Sequence, residues 1–170
     1  MTRELLLLRH GKSDWSVFTG DYDRPLTKRG KRGSKIVGRW LLERDGVPDH
    51  IVTSPAVRAS TTALRVAKQM EFDVDTIAKD QRMYGAGVSD ILAVLRDCPA
   101  EANRVMLVGH NPGLEDMVKY LSCEEVVVPV DGKLMPTATL AWFVFTCSWE
   151  ELKDRCATLK SITRPGDMFS

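Results

Sequence analysis

The sequence has no surplus of either charge. Of its 170 residues, 24 are Lys or Arg and 23 are Asp or Glu, a net charge of +1. That balance gives no global attraction to nucleic acid or to an anionic membrane surface, so any anion must be held by a local cluster. Paired cysteines are also missing. Cys98, Cys123, Cys147 and Cys156 show no CxxC spacing, and with only three histidines they form no zinc-ligand pattern. Scattered free thiols suit a reducing compartment, and a cytoplasmic location is expected. Long hydrophobic runs are absent too. The four leucines Leu5 to Leu8 are too few for the apolar part of a signal peptide and far too few to span a bilayer. There is no internal repeat, low-complexity tract or linker. A 44% hydrophobic and 28% charged composition is too apolar for disorder, and the length suits one domain over residues 1–170.

What is present is an alternation of short apolar runs with helix-periodic segments. Leu5 to Leu8 reads as a strand covered on both faces, because such strands are continuously apolar. Thr27 has the character of a helix N-cap, and Ile36, Val37, Trp40 and Leu41 then recur at helical spacing up to Gly46 and Pro48. His50 to Thr53 is a second strand, followed by a helix opening near Pro55. Phe72 to Ile77 alternates and predicts a third strand. Asp90 to Leu95 predicts a helix with Ser89 as its cap. Val105 to Val108 is a strand, and Leu114, Met117, Val118 and Leu121 lie on one helix face. Thr139 to Thr146 is rich in aromatic and branched residues, and Ala157 to Thr163 adds an edge strand. The alternation predicts an α/β fold: a three-layer α/β/α sandwich around a mostly parallel sheet.

Three polar clusters follow three of these strands: Arg9-His10-Gly11, Ser54-Pro55 with Arg58, and Gly109-His110-Asn111. Open parallel sheets bind ligands just beyond the carboxyl ends of their strands. Two histidines and two arginines therefore share one rim. Taken singly, a strand-end histidine is a structural hydrogen-bonder and a lone arginine a surface charge. Taken together they suit a phosphoryl group. Arginine pairs two phosphate oxygens at once, and helix starts near Pro55 and Pro112 aim N–H groups at an anion. A neutral imidazole can attack phosphorus, while the second histidine serves better as a cation or donor. Glycines at 11 and 109 let the backbone turn and approach a ligand.

The stretch Leu7-Leu8-Arg9-His10-Gly11-Lys12-Ser13 resembles the opening motif of the histidine phosphatase superfamily, which also contains phosphoglycerate mutases. Asp23-Arg24-Pro25-Leu26-Thr27 with Gly30 is similar to the segment leading into that family's first helix. Ser54-Pro55-Ala56-Val57-Arg58 resembles its second phosphate-binding motif, and Gly109-His110-Asn111-Pro112-Gly113 its third. The short length and the Gly-His-Asn-Pro-Gly form look most like the SixA-type branch, the phosphohistidine phosphatases. The resemblance runs from about residue 3 to residue 122, with Ser148-Trp149 and Arg164-Pro165 fitting that branch as well.

The resemblance implies a phosphoglycerate-mutase-like fold and a phosphatase. His10 would be the nucleophile and Arg9, Arg58 and His110 would hold the phosphoryl oxygens, with Gly11 and Asn111 also at the phosphate. Neither metal nor cofactor is expected. In mutase-like members a Glu just ahead of a Tyr-Gly pair is the general acid. Here Gln81 falls near that place, ahead of Tyr84-Gly85, and cannot donate a proton as an acid. Asp80, Asp90 and Glu115 are candidate substitutes that nothing in the sequence ranks. A missing acid favours a labile P–N bond over a sugar phosphate. The chain also lacks a large cap insertion, which suits a phosphate on a protein surface. The expected partner is a phosphohistidine-bearing domain in signal transduction. The alternatives are a small phosphorylated metabolite or nucleotide, and a non-catalytic phosphate-binding module. Lys12, Trp15 and Tyr22 are placed either at the pocket or in ordinary surface and packing roles. His50 is expected to be structural.

Overall fold

Four consecutive leucines in strand β1 (Arg3–Arg9) are explained by where their side chains go. Leu5 and Leu7 enter one buried apolar cluster, and Leu6 and Leu8 enter another on the opposite face. The strand runs through the middle of a sheet with cover on both sides, so its alternating directions both demand apolar residues. The computed structural model describes all residues from Met1 to Ser170.

The elements alternate as expected: β1, helix α1 (Lys28–Glu43), β2 (His50–Thr53), α2 (Val57–Gln69), β3 (Ala78–Lys79), α3 (Val88–Arg96), β4 (Arg104–Gly109), α4 (Gly113–Leu121), β5 (Leu140–Phe145) and β6 (Thr158–Thr163). The six strands form one sheet in the order β3-β2-β4-β1-β5-β6. The first four are mutually parallel, so the mostly parallel sheet is present. β5 runs antiparallel to both β1 and β6. Helices α1 and α2 cover one face, where Trp40 packs edge-on against Trp142 with ring centroids 6.2 Å apart. Helices α3 and α4 cover the other. No helix is long and apolar enough to cross a membrane.

Local chemistry sets the ends of the elements. Thr27 accepts the Gly30 N–H at 3.0 Å and starts α1 as expected. Two expectations fail. Phe72 to Ile77 is not a strand. Asp73 accepts the Asp75 N–H and its carbonyl accepts from Thr76 Oγ1, so the chain takes a 3₁₀ turn over Val74–Thr76, and pairing shrinks to Ala78–Lys79. Ser89 does not cap α3. The Asp90 carboxylate reaches back to the Gly87 N–H at 3.0 Å, which starts the helix at Val88 with Ser89 inside its first turn.

The register of the central strands decides what happens at the rim. Arg9 is paired with Gly109 across β1 and β4, so the chain leaves both strands at the same level, at His10 and His110. On the other side of β4, Thr53 is level with Val108, so Ser54 leaves β2 at the same height. The first and third motifs are 100 residues apart in sequence, with the second between them, and all three become neighbours because parallel strands end together.

Candidate active site

Arg9, His10, Arg58 and His110 all line a cavity of about 220 Å³ at the carboxyl end of the sheet, joined by Lys12, Arg24 and Asp21. The two histidine rings are 5.2 Å apart between centroids. The structure thus brings together the four residues that the three motifs nominated.

His10 is buried, and its Nδ1 lies 2.7 Å from the Gly11 carbonyl oxygen. A carbonyl can only accept, so this bond assigns the proton to Nδ1 and leaves Nε2 with a free lone pair. Burial pushes the His10 pKa down to about 3, with the charges of His110, Arg9 and Arg58 acting in the same direction and the Gly11 bond opposing. At neutral pH the ring is uncharged.

His110 Nε2 lies 2.7 Å from Ser54 Oγ. That hydroxyl accepts the Ala56 N–H at 3.3 Å and has no other acceptor for its own hydrogen, so donation to Nε2 leaves the fewest groups unpaired and places the His110 proton on Nδ1. Nδ1 is buried with no partner in the protein. Burial, helped by Arg58, lowers the His110 pKa to about 4. Both histidines are therefore neutral before substrate arrives. Of the two roles expected for the second histidine, cation or donor, His110 takes that of a neutral donor.

The arginines are held in place by neighbouring groups. Arg9 donates to the Met135 carbonyl at 3.1 Å, and its Nε is buried without a partner. Arg58 is buried and donates through Nη2 to the Asp21 carboxylate at 3.0 Å and through Nη1 to the Asp21 carbonyl. Arg24 is buried as well, bonded to Asp21 Oδ1 at 2.9 Å and stacked under Trp15, its guanidinium carbon 3.4 Å from the ring centroid. Tyr84 donates its hydroxyl to Asp21 Oδ2 at 2.7 Å. Its ring meets Tyr22 and His110 edge-on. Donation by Tyr84, Arg58 and Arg24 holds the Asp21 pKa near 2, so it is an anion.

The general-acid candidates are elsewhere. Asp80 is paired with Arg82 at 2.8 Å, Asp90 caps α3, and Glu115 accepts from Asn111 and from the Met135 N–H. None of the three lines the cavity. The carboxylate that does is Asp21, and it is ionised. Sequence reasoning missed Asp21, Arg24 and Tyr84 as site residues. The only trace was the charge alternation in Asp21-Tyr22-Asp23-Arg24, whose docking depends on a bond from the Val57 N–H to the Tyr22 carbonyl.

Two nominated phosphate ligands have other work. The Gly11 N–H is taken by Thr62 Oγ1 at 3.0 Å, and a Cβ on Gly11 would lie 2.7 Å from the Gly30 carbonyl. The glycine is needed for contact between the strand-end loop and α1. Asn111 lines the cavity, but its amide donates to Glu115 and to the Met135 carbonyl, leaving only an acceptor oxygen unpartnered. That oxygen would repel a phosphate, and the side chain instead braces the 135 loop. Trp15 and Lys12 line the cavity, Tyr22 packs on Tyr84, and His50 begins β2 away from the site. No three His, Cys, Asp or Glu side chains cluster as a metal site would require.

Comparison with known proteins agrees with this geometry. The family model for the histidine phosphatase superfamily (branch 1) matches residues 5–82, which include the first two motifs. Over residues 5–82 the chain is thus similar to the histidine phosphatase superfamily. Its architecture is SixA-like along nearly the whole chain. A structure of a proposed phosphohistidine phosphatase SixA from Nakamurella multipartitia superposes with a TM-score of 0.80 at 27% identity, covering 97% of both chains. One from Agrobacterium tumefaciens gives 0.76 at 26% identity over 96% of this chain and 99% of that one. Among curated sequences, the 2,3-bisphosphoglycerate-dependent phosphoglycerate mutase of Bifidobacterium longum is 46% identical over 93 residues. That match spans 51% of this chain and 38% of the mutase. The shared segment covers well under half of the mutase, which has much more chain beyond it.

Proposed function

We propose that this protein is a phosphatase of the histidine phosphatase superfamily that works through a phosphohistidine intermediate on His10 and removes phosphate from phosphohistidine carried by a signalling or phosphotransfer protein. The observation that carries this reading is the His10–Gly11 bond. It leaves a neutral, oriented Nε2 lone pair inside a pocket of cations.

Nε2 attacks phosphorus, the P–Nε2 bond forms, and the bond to the leaving group breaks. Arg9, Arg58 and His110 hold the phosphoryl oxygens, with Arg24 and Lys12 adding charge at the mouth. Phosphoryl transfer needs mainly positioning and stabilisation of the equatorial oxygens, which these groups provide. An incoming dianion would raise the pKa of His110 and give its unpartnered Nδ1–H an acceptor. Water then attacks the phosphohistidine, the P–Nε2 bond breaks, and inorganic phosphate leaves.

The leaving group decides the substrate. Asp21 is ionised and cannot act as an acid in this arrangement. An alkoxide would depart without a proton, at great cost. A phosphorylated imidazole whose second nitrogen is protonated departs as neutral imidazole and needs no acid from the enzyme. An open cavity whose rim residue Trp15 is 72% exposed favours a phosphate presented on a protein, and lets water in for hydrolysis rather than return of the phosphoryl group.

The test is phosphate release from a phosphohistidine-bearing protein domain, wild type beside His10→Ala, with a chelator present. Release by the wild type that ignores the chelator and vanishes in the variant is expected. Turnover of small phosphate esters with the phosphoprotein untouched would give the small-substrate reading. No turnover of either would make this a binding module.

A further inference from the structure

Helix α1 begins in a way that its own electrostatics disfavour. Its first eight residues, Lys28-Arg29-Gly30-Lys31-Arg32-Gly33-Ser34-Lys35, carry five cations, and its first turn contains no acidic residue. The N-terminal end of a helix has a partial positive charge that acts over the first turn, so Lys28, Arg29 and Lys31 cost stability there. None of the five forms an ion pair within the protein. A chain with net charge +1 has concentrated unpaired positive charge where folding does not want it.

Two of these cations, Arg29 and Arg32, face a groove. Arg29, Arg32 and Lys133 line a depression of about 560 Å³ that shares Lys12 and Thr137 with the catalytic cavity. The groove also contains Asp131 and Asp167. Asp131 is already neutralised by Arg164, at 2.7 and 3.1 Å. Lys12, Arg29, Arg32 and Lys133 have no side-chain partner. The loop whose Trp15 lines the cavity also presents Phe18, which is fully exposed. A small phosphate ester would use convergent, enclosed donors. Cations spread along an open groove, with exposed aromatics on a loop that lines the adjoining cavity, have the dimensions and chemistry of a protein contact.

We propose that the groove between the start of α1 and the 131–137 segment docks an acidic surface flanking the phosphorylated residue of the substrate protein. The proposal rests on the phosphohistidine reading above. The groove meets the catalytic cavity at Lys12, so acidic side chains seated on Arg29, Arg32 and Lys133 would position the adjacent phosphoryl group over His10. Complementary charge of this kind raises the rate of productive encounter and is weakened by salt.

The test uses two synthetic peptides, each with one phosphohistidine, flanked either by four acidic residues or by four Ser and Gly residues, with phosphoramidate as the small phosphoryl donor. Wild type is compared with the double variant Arg29→Glu and Arg32→Glu. Acids at the start of α1 agree with the helix dipole, so the variant is expected to keep its thermal midpoint. Wild type should prefer the acidic peptide by about tenfold in kcat/KM at low salt, mostly through KM. The preference should disappear in the variant and in high salt, with phosphoramidate turnover equal in both proteins. Equal use of the two peptides by the wild type, a preference that survives in the variant, or an equal loss on phosphoramidate would overturn the docking groove while the phosphohistidine reading stands. Turnover of phosphoramidate with neither peptide touched by the wild type would overturn both.

Discussion

The Asp21 carboxylate accepts a hydrogen bond from Arg58 Nη2 at 3.0 Å, joining a loop after the first motif to the arginine of the second, 37 residues later. Arg58 is aimed into the cavity by a group that also competes with phosphate for it. Asp21→Asn removes the competing charge and weakens the aim together. We expect inorganic phosphate to inhibit this variant about tenfold more tightly, an effect of about 1.4 kcal/mol. Turnover is expected to fall about tenfold, since a mobile guanidinium stabilises the transition state less well. Steady-state kinetics with added phosphate measure both. Unchanged inhibition would mean that Asp21 moves aside freely when phosphate binds.

Ser54 orients His110 through the 2.7 Å contact with Nε2. Ser54→Ala should cost about 1 kcal/mol in denaturant unfolding. It should lower kcat about tenfold, because the ring can then turn and its proton is no longer assigned to Nδ1. Ser54→Thr keeps the hydroxyl and is expected to recover most of the loss.

Gly30 lies in the first turn of α1, where alanine would ordinarily favour the helix by about 1 kcal/mol. Here a Cβ would overlap the carbonyl oxygen and amide of Lys12, which are backbone atoms and cannot rotate away. Overpacking of that kind costs about 1–3 kcal/mol, so the sign reverses and Gly30→Ala is expected to be destabilising. The displaced segment is the one that carries His10, so turnover should fall too. Thermal unfolding and kcat on one preparation test this.

The histidines make stability depend on pH. His10 and His110 have folded pKa values lowered to about 3 and about 4 from an ordinary 6.5. Between about pH 4 and 6.5 the unfolded chain therefore binds protons that the folded chain refuses. The stabilisation is complete above 6.5 and is lost as the pH falls through that window, at up to about 1.4 kcal/mol per pH unit for each ring. Asp21, lowered to about 2, adds a loss of the same sign only below its ordinary 3.8. Unfolding free energy measured from pH 4 to 7 should rise with pH, and His10→Gln should remove a large part of that slope, with His50, also lowered by burial, contributing in the same direction. A flat profile would mean that the two rings titrate normally.

Local pattern determined much of this protein. Leu5 to Leu8 and Val105 to Val108 could only be covered strands, because an unbroken apolar run leaves no face for water. Thr27 capped its helix because a threonine ahead of a periodic segment meets an unsatisfied N–H wherever it occurs. Arg9, His10, Arg58 and His110 were legible as one site because parallel strands end on a common rim. Local pattern failed where side chains bonded to nearby backbone, as at Asp73 and Asp90. It also failed where function depended on a loop's landing place. Asp21 is an ordinary loop aspartate until the Tyr22 carbonyl meets Val57, and Tyr84 is an ordinary tyrosine until its hydroxyl reaches Asp21. Gly11 and Asn111 were assigned to phosphate by their motifs, yet Thr62, Glu115 and the Met135 carbonyl claim their donors. Sequence by itself determined the strands, the helices and the chemistry available at the rim, because periodicity and residue type act over a few neighbouring residues. Only the tertiary structure decided which carboxylate stands in the cavity, which nitrogen of each histidine is free and which donors remain for a ligand. Those outcomes depend on groups brought to within 3 Å by the fold from distant parts of the chain.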